Sequence, residues 1–263
     1  MIIYFASERH FLGQLLEHKV KNILVSYYEL QRGMNGLDMV RKYPANYFLD
    51  SGAYSAFHVN ATIDLNAYMK YIKDTASLWK IYACLDTIGQ PKATLATQER
   101  MEKEGLHPLP VFHVNSPLPM LHDICKKYDY FALGGLVPYA RQRKKVQTWC
   151  DTCFSVIKEY WPKKVHGFGI NSSYVVERYP WYSVDSTTYT GGNRWGQVLE
   201  YKMGRILSIT RETNPYHIVR YGTWKHRSPA FTDRMLQQNI ETTLKLQKRI
   251  TELWAQKGVV WTN

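Results

Sequence analysis

Short apolar runs, rich in β-branched and aromatic residues, alternate along the chain with longer segments in which apolar residues recur at helical spacing. The eight runs are Ile2 to Ala6, Asn22 to Ser26, Tyr47 to Asp50, Lys80 to Asp86, Leu109 to His113, Tyr130 to Gly134, Val165 to Ile170 and Tyr182 to Asp185. Such alternation is typical of repeated βα units, in which crossover helices join parallel strands. It predicts an α/β fold with eight parallel strands.

The segments between the runs have the spacing of amphipathic helices. Clear examples are Leu65 to Leu78, Pro91 to Glu104 and Pro119 to Lys127, and a longer helix is expected from about Pro229 to Lys257. Eight strands with helical crossovers can close into a (β/α)8 barrel of the TIM type, which leaves no exposed sheet edge. An open doubly wound sheet is the alternative, but no glycine-rich phosphate loop follows the first run.

The composition changes after the eighth run, where residues 191–227 are rich in glycine, aromatic and basic residues. No internal repeat, low-complexity tract or linker is present. We therefore expect one domain over residues 1–263, with the barrel at about 1–190 and a C-terminal extension with a closing helix at about 191–263. With 263 residues, 45% of them hydrophobic, the chain is long enough to bury such a core.

The chain carries 34 Lys and Arg residues against 22 Asp and Glu residues, a formal net charge of +12. Such an excess favours a polyanionic partner, and nucleic acid is the first expectation. A solvated helix face is the alternative for the basic residues between positions 141 and 145. The residues expected to contact phosphates are Arg141, Arg143, Lys144, Lys145, Arg194, Lys202, Arg205, Lys225 and Arg227.

No apolar stretch approaches the roughly 20 residues needed to cross a bilayer, and the first residues lack the features of a signal peptide. These features predict a soluble, cytoplasmic protein without membrane association. Of four cysteines, only Cys150 and Cys153 have ligand-like spacing, and no second pair or nearby histidine completes a zinc site. We expect a reduced pair along a helix, no metal and no cofactor.

Three carboxylates close three of the apolar runs: Asp50, Asp86 and Asp185. The carboxyl ends of parallel strands meet at one rim, where α/β enzymes hold their active sites. A helix N-cap is the alternative for any single one of them. Carboxylates that share a pocket cannot all ionise freely, so one can act as nucleophile and another as acid. This arrangement is typical of glycosyl transfer, in which a carboxylate attacks an anomeric carbon.

Other strands of the predicted barrel end in residues suited to substrate binding. His113 should point into or just above the barrel, where it would contact substrate or lie satisfied in the core. Gly134 and Gly135 would let backbone groups approach a planar ring, or would form a tight turn. Phe168, which follows His166 on the seventh strand, could stack on a base or belong to the core.

These residues carry a resemblance to a known family. The segment Asp50-Ser51-Gly52-Ala53-Tyr54 resembles the Asp-Ser-Gly-Gly-Phe motif of the tRNA-guanine transglycosylases. Residues 133–136 resemble the family's Gly-Gly-Leu segment, and residues 165–169 resemble its strand before the nucleophile. The matches keep the family's order over about residues 47–188.

The resemblance implies a (β/α)8 barrel that exchanges guanine in a polynucleotide for a 7-deazaguanine through a covalent aspartyl–sugar intermediate. It implies Asp185 as the nucleophile and Asp50 as the general acid/base. The base would be recognised by Asp86, His113 and the backbone of Gly134 and Gly135. Further substrate contacts are expected from Ser51, Tyr54, His166 and Phe168.

The chain also departs from the family. Ala53 and Tyr54 replace Gly and Phe, His113 stands where a Gln is usual, and the zinc-binding Cys/His cluster after the nucleophile is absent. That cluster belongs to a subdomain that helps to grip tRNA, so the chain is more similar to the 7-deazaguanine DNA transglycosylases of bacteria and phages. DNA is therefore the expected partner, and the resemblance implies the cytoplasm of a bacterium or of a phage-infected host cell. A tRNA-acting enzyme and a non-catalytic barrel that binds nucleic acid are the alternatives.

Overall fold

The computed structural model describes residues 1–7, 11–33, 36–139, 142–170, 172–191, 196–203, 205–210, 212–214 and 229–261. Its strands are β1 (Ile2–Ser7), β2 (Asn22–Ser26), β3 (Asn46–Asp50), β4 (Trp79–Tyr82), β5 (Val111–His113), β6 (Tyr130–Gly134), β7 (Lys164–Gly167), β8 (Ser183–Ser186), β9 (Val198–Lys202) and β10 (Arg205–Ile209). Its α-helices are α1 (Leu12–Glu17), α2 (Tyr27–Arg32), α3 (Gly36–Lys42), α4 (Ala53–His58), α5 (Leu65–Asp74), α6 (Pro91–Lys103), α7 (Leu118–Lys127), α8 (Arg143–Glu159), α9 (Ser173–Arg178) and α10 (Pro229–Gln256).

The first eight strands form one parallel sheet with the order β4-β3-β2-β1-β8-β7-β6-β5. Next to the two end strands, Ala83 just after β4 and Leu109 just before β5 form a parallel bridge. There the Leu109 N–H donates to the Tyr82 carbonyl at 2.8 Å, and the Cys84 N–H donates to the Leu109 carbonyl at 3.1 Å. The sheet thus curls round on itself with helices between its strands, which confirms the predicted TIM-type α/β fold.

Local sequence signals explain where the outer helices begin. Asp64 caps α5, because its side chain accepts a hydrogen bond from the Ala67 N–H at 2.7 Å. Helix α6 starts with Pro91, whose missing N–H is not needed in a first turn. The predicted helix from Leu65 to Leu78 is wrong at its end, since α5 stops at Asp74 and a short 3-10 turn follows.

Two strands end earlier than their apolar runs. Strand β4 stops at Tyr82, so Asp86 lies on the loop before α6 rather than at the predicted strand end. The Thr87 N–H donates to Thr94 Oγ1 at 3.0 Å, which ties this loop to α6. Strand β7 stops at Gly167, because the chain turns at Gly169 with a φ of 65°.

The barrel interior is a packed core beneath the rim. Alternate residues of the strands point inward, and the buried cluster consists of Tyr4, Ala6, Leu24, Phe48, Ala83, Leu109, Val111 and Ala132. Edge-to-face contacts order this core, for example between Tyr4 and Phe48 at 5.4 Å between ring centroids. Because these side chains fill the interior, we expect a ligand site at the carboxyl ends of the strands and not inside the barrel.

The C-terminal extension packs on the barrel through α10 and an antiparallel hairpin of β9 and β10. The buried Asn239 of α10 donates to the carbonyls of Tyr189 and Gln197, both at 3.0 Å, and accepts from the Leu199 N–H at 2.6 Å. The hairpin was not predicted, whereas the long helix was. Among the described helices, none combines the length and the apolar character that crossing a membrane requires.

Cys150 and Cys153 lie on α8, with both thiols buried in the layer between this helix and the sheet. Burial raises the pKa of both thiols above the ordinary cysteine value. The placement of the pair along a helix is thus confirmed.

We expect the purified protein to be active without structural zinc. Within the described ranges, no three His, Cys, Asp or Glu side chains are grouped so that they could hold a metal ion. Elemental analysis before and after chelation tests this expectation. One zinc per chain, together with loss of activity on chelation, would contradict it.

Candidate active site

Asp185 lies on β8 at the barrel mouth and is 8% exposed. Its Oδ1 accepts a hydrogen bond from the Gly169 N–H at 2.9 Å and lies 3.3 Å from His166 Nε2. Its Oδ2 has no hydrogen-bond partner among the described residues. One oxygen is therefore held, and the other is free to contact a ligand.

Asp50 ends β3 and is followed by a tight turn. The second residue after Asp50 is Gly52, at a position that only glycine fits. Gly52 has a φ of 78°, and a Cβ there would collide with the Ser26 hydroxyl and with Tyr28 Cβ, 2.5 Å away. The Gly52 N–H donates to Asp50 Oδ2 at 2.8 Å. This hydrogen bond fixes the carboxyl at the start of α4 and so places it at the mouth.

The pKa of Asp50 is raised from 3.8 to about 7. Burial is the largest cause, and the negative charges of Asp86 and Asp185 add to it. The hydrogen bond from the Gly52 N–H favours the charged form but is outweighed. Asp50 is therefore able to hold and release a proton near neutral pH.

Asp86 and His113 form a pair, with 3.1 Å between Asp86 Oδ2 and His113 Nε2. Burial of the imidazole lowers its pKa, but the charge and hydrogen bond of Asp86 outweigh this effect and leave the pKa of His113 raised. Asp86 Oδ1 is buried and has no hydrogen-bond partner in the part of the chain that the structure describes. Because an unsatisfied buried acceptor is costly, a ligand N–H at this oxygen would be stabilising.

Gly134 leaves space for the side chain of His113. The two residues are paired in the sheet, and a Cβ on Gly134 would lie 3.2 Å from His113 Cδ2 and 3.0 Å from Val111 Cγ1. Gly135 has a φ of 81° and is exposed, so its backbone is the part of the glycine pair that faces open space.

Two of the predicted substrate contacts are buried. Ser51 is 1% exposed, and its hydroxyl accepts from the Ala53 N–H at 3.3 Å at the start of α4. His166 is fully buried beneath Asp185, with its ring edge-to-face against Phe48 at 4.9 Å. In the structure, the Ser51 hydroxyl therefore serves the first turn of α4, and the His166 ring lies against Asp185.

Two others lie closer to solvent. Phe168 is partly buried on the interior core, with its ring 4.6 Å from that of His166. Tyr54 is 36% exposed on α4 and contacts His58 edge-to-face at 4.4 Å. Tyr54 therefore has a face available to a ligand, whereas Phe168 caps the core.

A cleft of about 330 Å³ lies beside Asp86, a volume in the range of small-molecule sites. Its walls are the face of α4 with the loop that follows it and residues 85–88. Phe57 lines it and is 56% exposed, and Val59 nearby is 59% exposed. Sequence reasoning missed this cleft; the large apolar residues Phe57 and Val59, a few positions after the Asp50 motif, are the signal that could have indicated it.

The predicted phosphate contacts are only partly described. Arg143, Lys144 and Lys145 form the exposed first turn of α8, which follows β6 and so begins on the rim side. Lys145 Nζ lies 3.7 Å from the centre of the Tyr139 ring. Lys202 is exposed on β9, and Arg205 begins β10. Outside the described residues lie Arg141, Arg194, Lys225 and Arg227.

No protein-family model matches the chain, and no curated protein is significantly similar to it. Among solved structures, a chain of the tryptophan synthase a2b2 complex from the hyperthermophile Pyrococcus furiosus aligns with a TM-score of 0.49 and 13% identity, covering 93% of this chain and 97% of that one. Tryptophan synthase subunit alpha from Campylobacter jejuni aligns with a TM-score of 0.45 and 9% identity, covering 90% and 94%. Neither alignment supports a statement about activity.

Proposed function

We propose that this protein is a DNA guanine transglycosylase, a glycosyltransferase that exchanges guanine in DNA for a 7-deazaguanine base. One observation carries the proposal. Asp185 has one hydrogen-bonded oxygen and one without a partner among the described residues, and it shares the barrel mouth with Asp50, whose pKa is raised to about 7. These are the properties that a nucleophile and a general acid/base need at neutral pH. The resemblance to tRNA-guanine transglycosylases assigns the same roles to the same residues.

In the proposed reaction, Asp185 Oδ2 attacks C1′ as the bond from C1′ to the guanine nitrogen breaks. The departing guanine takes the proton of Asp50, and an ester joins Asp185 to the sugar. The incoming base then gives its ring proton to Asp50 and attacks C1′, which releases the Asp185 carboxylate. Asp50 is protonated at the start and at the end of the cycle, so no further reactant is needed.

Recognition of the base is assigned to Asp86 and the cleft beside it. A guanine-like base presents N1–H and a 2-amino group, and a carboxylate accepts both donors. The unpartnered Asp86 Oδ1 supplies one acceptor, while Oδ2 is already held by His113. The apolar wall at Phe57 would cover a face of the ring.

We expect Asp86→Ala to weaken base binding or relax base selectivity by about 1–3 kcal/mol, because base donors lose their acceptor. Competition by free bases in an exchange assay measures this change. Asp74→Ala, which removes an exposed carboxylate paired with Lys70, is the charge-matched control. Unchanged affinity and selectivity in Asp86→Ala would argue against the assignment.

We expect the protein to exchange guanine in DNA faster than in tRNA and to bind DNA in a salt-sensitive manner. Attack at C1′ requires the target nucleotide to leave the stack, so the strand around it has to be held by its phosphates. If several phosphates are contacted, affinity should fall by about 10³-fold or more between roughly 50 and 200 mM salt. Fluorescence anisotropy measures the binding.

Labelled 7-deazaguanine offered with both nucleic acids separates the alternatives. Incorporation into tRNA and none into DNA would favour the tRNA-acting enzyme. Salt-sensitive DNA binding without a covalent adduct, in an otherwise folded protein, would favour the non-catalytic barrel. Nucleoside mass spectrometry of the product identifies the inserted base.

A further inference from the structure

A line of polar side chains runs through the barrel interior below Asp185. Tyr130 Oη lies 2.7 Å from Ser183 Oγ, Ser183 Oγ lies 2.8 Å from His166 Nδ1, and His166 Nε2 lies 3.3 Å from Asp185 Oδ1. The residues come from the adjacent strands β6, β7 and β8, and His166 is paired with Ser183 in the sheet. His166 and Ser183 are both fully buried.

The direction of donation in this line follows from its two ends. Burial raises the pKa of the Tyr130 phenol, so the hydroxyl keeps its proton. Among the described residues Ser183 Oγ is the one hydrogen-bond partner of this hydroxyl, so Tyr130 donates to it. Ser183 then donates its single proton to His166 Nδ1, which leaves the imidazole proton on Nε2. If donation ran the other way, the imidazole proton would be on Nδ1. The Nε2 lone pair would then face the Asp185 carboxylate in a buried site, which is unfavourable.

We infer that His166 is a positioning residue, whose Nε2–H is fixed by Ser183 and Tyr130 beside Asp185 Oδ1 and, after a small movement of the carboxylate, holds Oδ1 so that Oδ2 faces the mouth. The inference deepens the proposed function and rests on it for the role of Asp185 as nucleophile. The line transfers no proton during the reaction. It orients the carboxylate and stabilises its charge each time Asp185 leaves the sugar.

The contact between His166 and Asp185 is close but not aligned as a hydrogen bond, and no other described residue offers Nε2 an acceptor. A buried N–H without an acceptor costs free energy, so a small movement of the carboxylate toward the ring is favourable. Such contacts are often loose in a free enzyme and tighten with substrate bound. The Gly169 N–H already holds the same oxygen at 2.9 Å, which limits the movement to a small rotation.

Nitrogen-15 NMR of the full-length, histidine-labelled protein tests the inference without any activity assay. We expect His166 to carry a proton on Nε2 only, and its Nε2 resonance to shift in Asp185→Asn. Ser183→Ala should abolish the single tautomer. The control is Tyr182→Phe, which removes the hydroxyl from a ring whose centroid lies 5.1 Å from that of Tyr130 and should leave the tautomer unchanged. A proton on Nδ1 in the wild-type protein, or no response to Ser183→Ala, would overturn the inference.

Exchange kinetics provide the second test. His166→Gln keeps an N–H near the Nε2 position, while His166→Asn reaches only the Nδ1 position. We expect His166→Asn to lower kcat by about 10- to 100-fold with little change in KM, and His166→Gln to recover most of the rate. Equal losses in both folded variants, or a loss confined to KM, would contradict positioning.

The two tests also separate the inference from the proposed function. An Nε2–H tautomer that depends on Ser183, in a wild-type protein without exchange activity, would refute the proposed function and retain the geometry. Full exchange activity in a wild-type protein whose His166 carries its proton on Nδ1 would refute the inference and retain the proposed function.

Discussion

Asp185→Asn is expected to abolish base exchange and the covalent adduct while the fold stays intact. The asparagine Oδ1 can still accept from the Gly169 N–H, so the local hydrogen bond is kept. An amide is nearly isosteric with a carboxylate but a far poorer nucleophile, and loss of an attacking group lowers kcat by at least about 10³-fold. Labelled-guanine exchange and mass spectrometry of a denatured protein–DNA adduct measure the effect.

The control for this variant is Asp123→Asn, which removes an exposed carboxylate on α7 that pairs only loosely with Lys126 at 3.9 Å. It should exchange guanine like the wild-type protein. Full exchange by Asp185→Asn would move the nucleophile elsewhere, and Asp50 would be the next candidate because it shares the mouth.

The sequence predicts the barrel well because turn-forming or polar residues follow the strands and mark where they end. Asp50 and Asp185 fall on strands as expected, since polar residues follow directly and stop the apolar run. Asp86 does not, because Cys84 and Leu85 remain buried after β4 has ended. These residues stay buried although they are no longer part of a strand. An apolar run alone does not distinguish a buried strand from a buried loop.

The position of His166 shows what single-strand patterns leave open. Its inward orientation follows from the alternation along β7, but its depth depends on the register with Ser183 on the neighbouring strand. That register places the ring beneath Asp185, where it is fully buried, instead of above it at the mouth. The role of Gly134 is likewise a property of strand pairing, since the space above it is taken by His113 from β5.

Asp50→Asn is expected to change the free energy of unfolding in a pH-dependent way. Relative to the wild-type protein, the variant should be more stable above pH 7 than it is in acid. The folded protein holds the Asp50 proton up to about pH 7, whereas the unfolded chain loses it near 3.8. The stability that this proton contributes is therefore fully present below about pH 4 and is lost as the pH rises through about 7. A shift of about three units corresponds to at most about 4 kcal/mol, and an amide does not ionise, so the variant lacks this loss.

Urea unfolding of the wild-type protein and the variant between pH 4 and 8.5 measures the difference, in which titrating groups that do not interact with Asp50 cancel. Asp151→Asn is the control of opposite sign, because the hydrogen bond from Tyr179 and the pair with Arg178 hold the pKa of Asp151 below its ordinary value. Its effect should be constant above about pH 5. Parallel stability curves for the wild-type protein and Asp50→Asn over this range would show that Asp50 ionises as an ordinary carboxyl, and general acid/base catalysis at neutral pH would then require another residue.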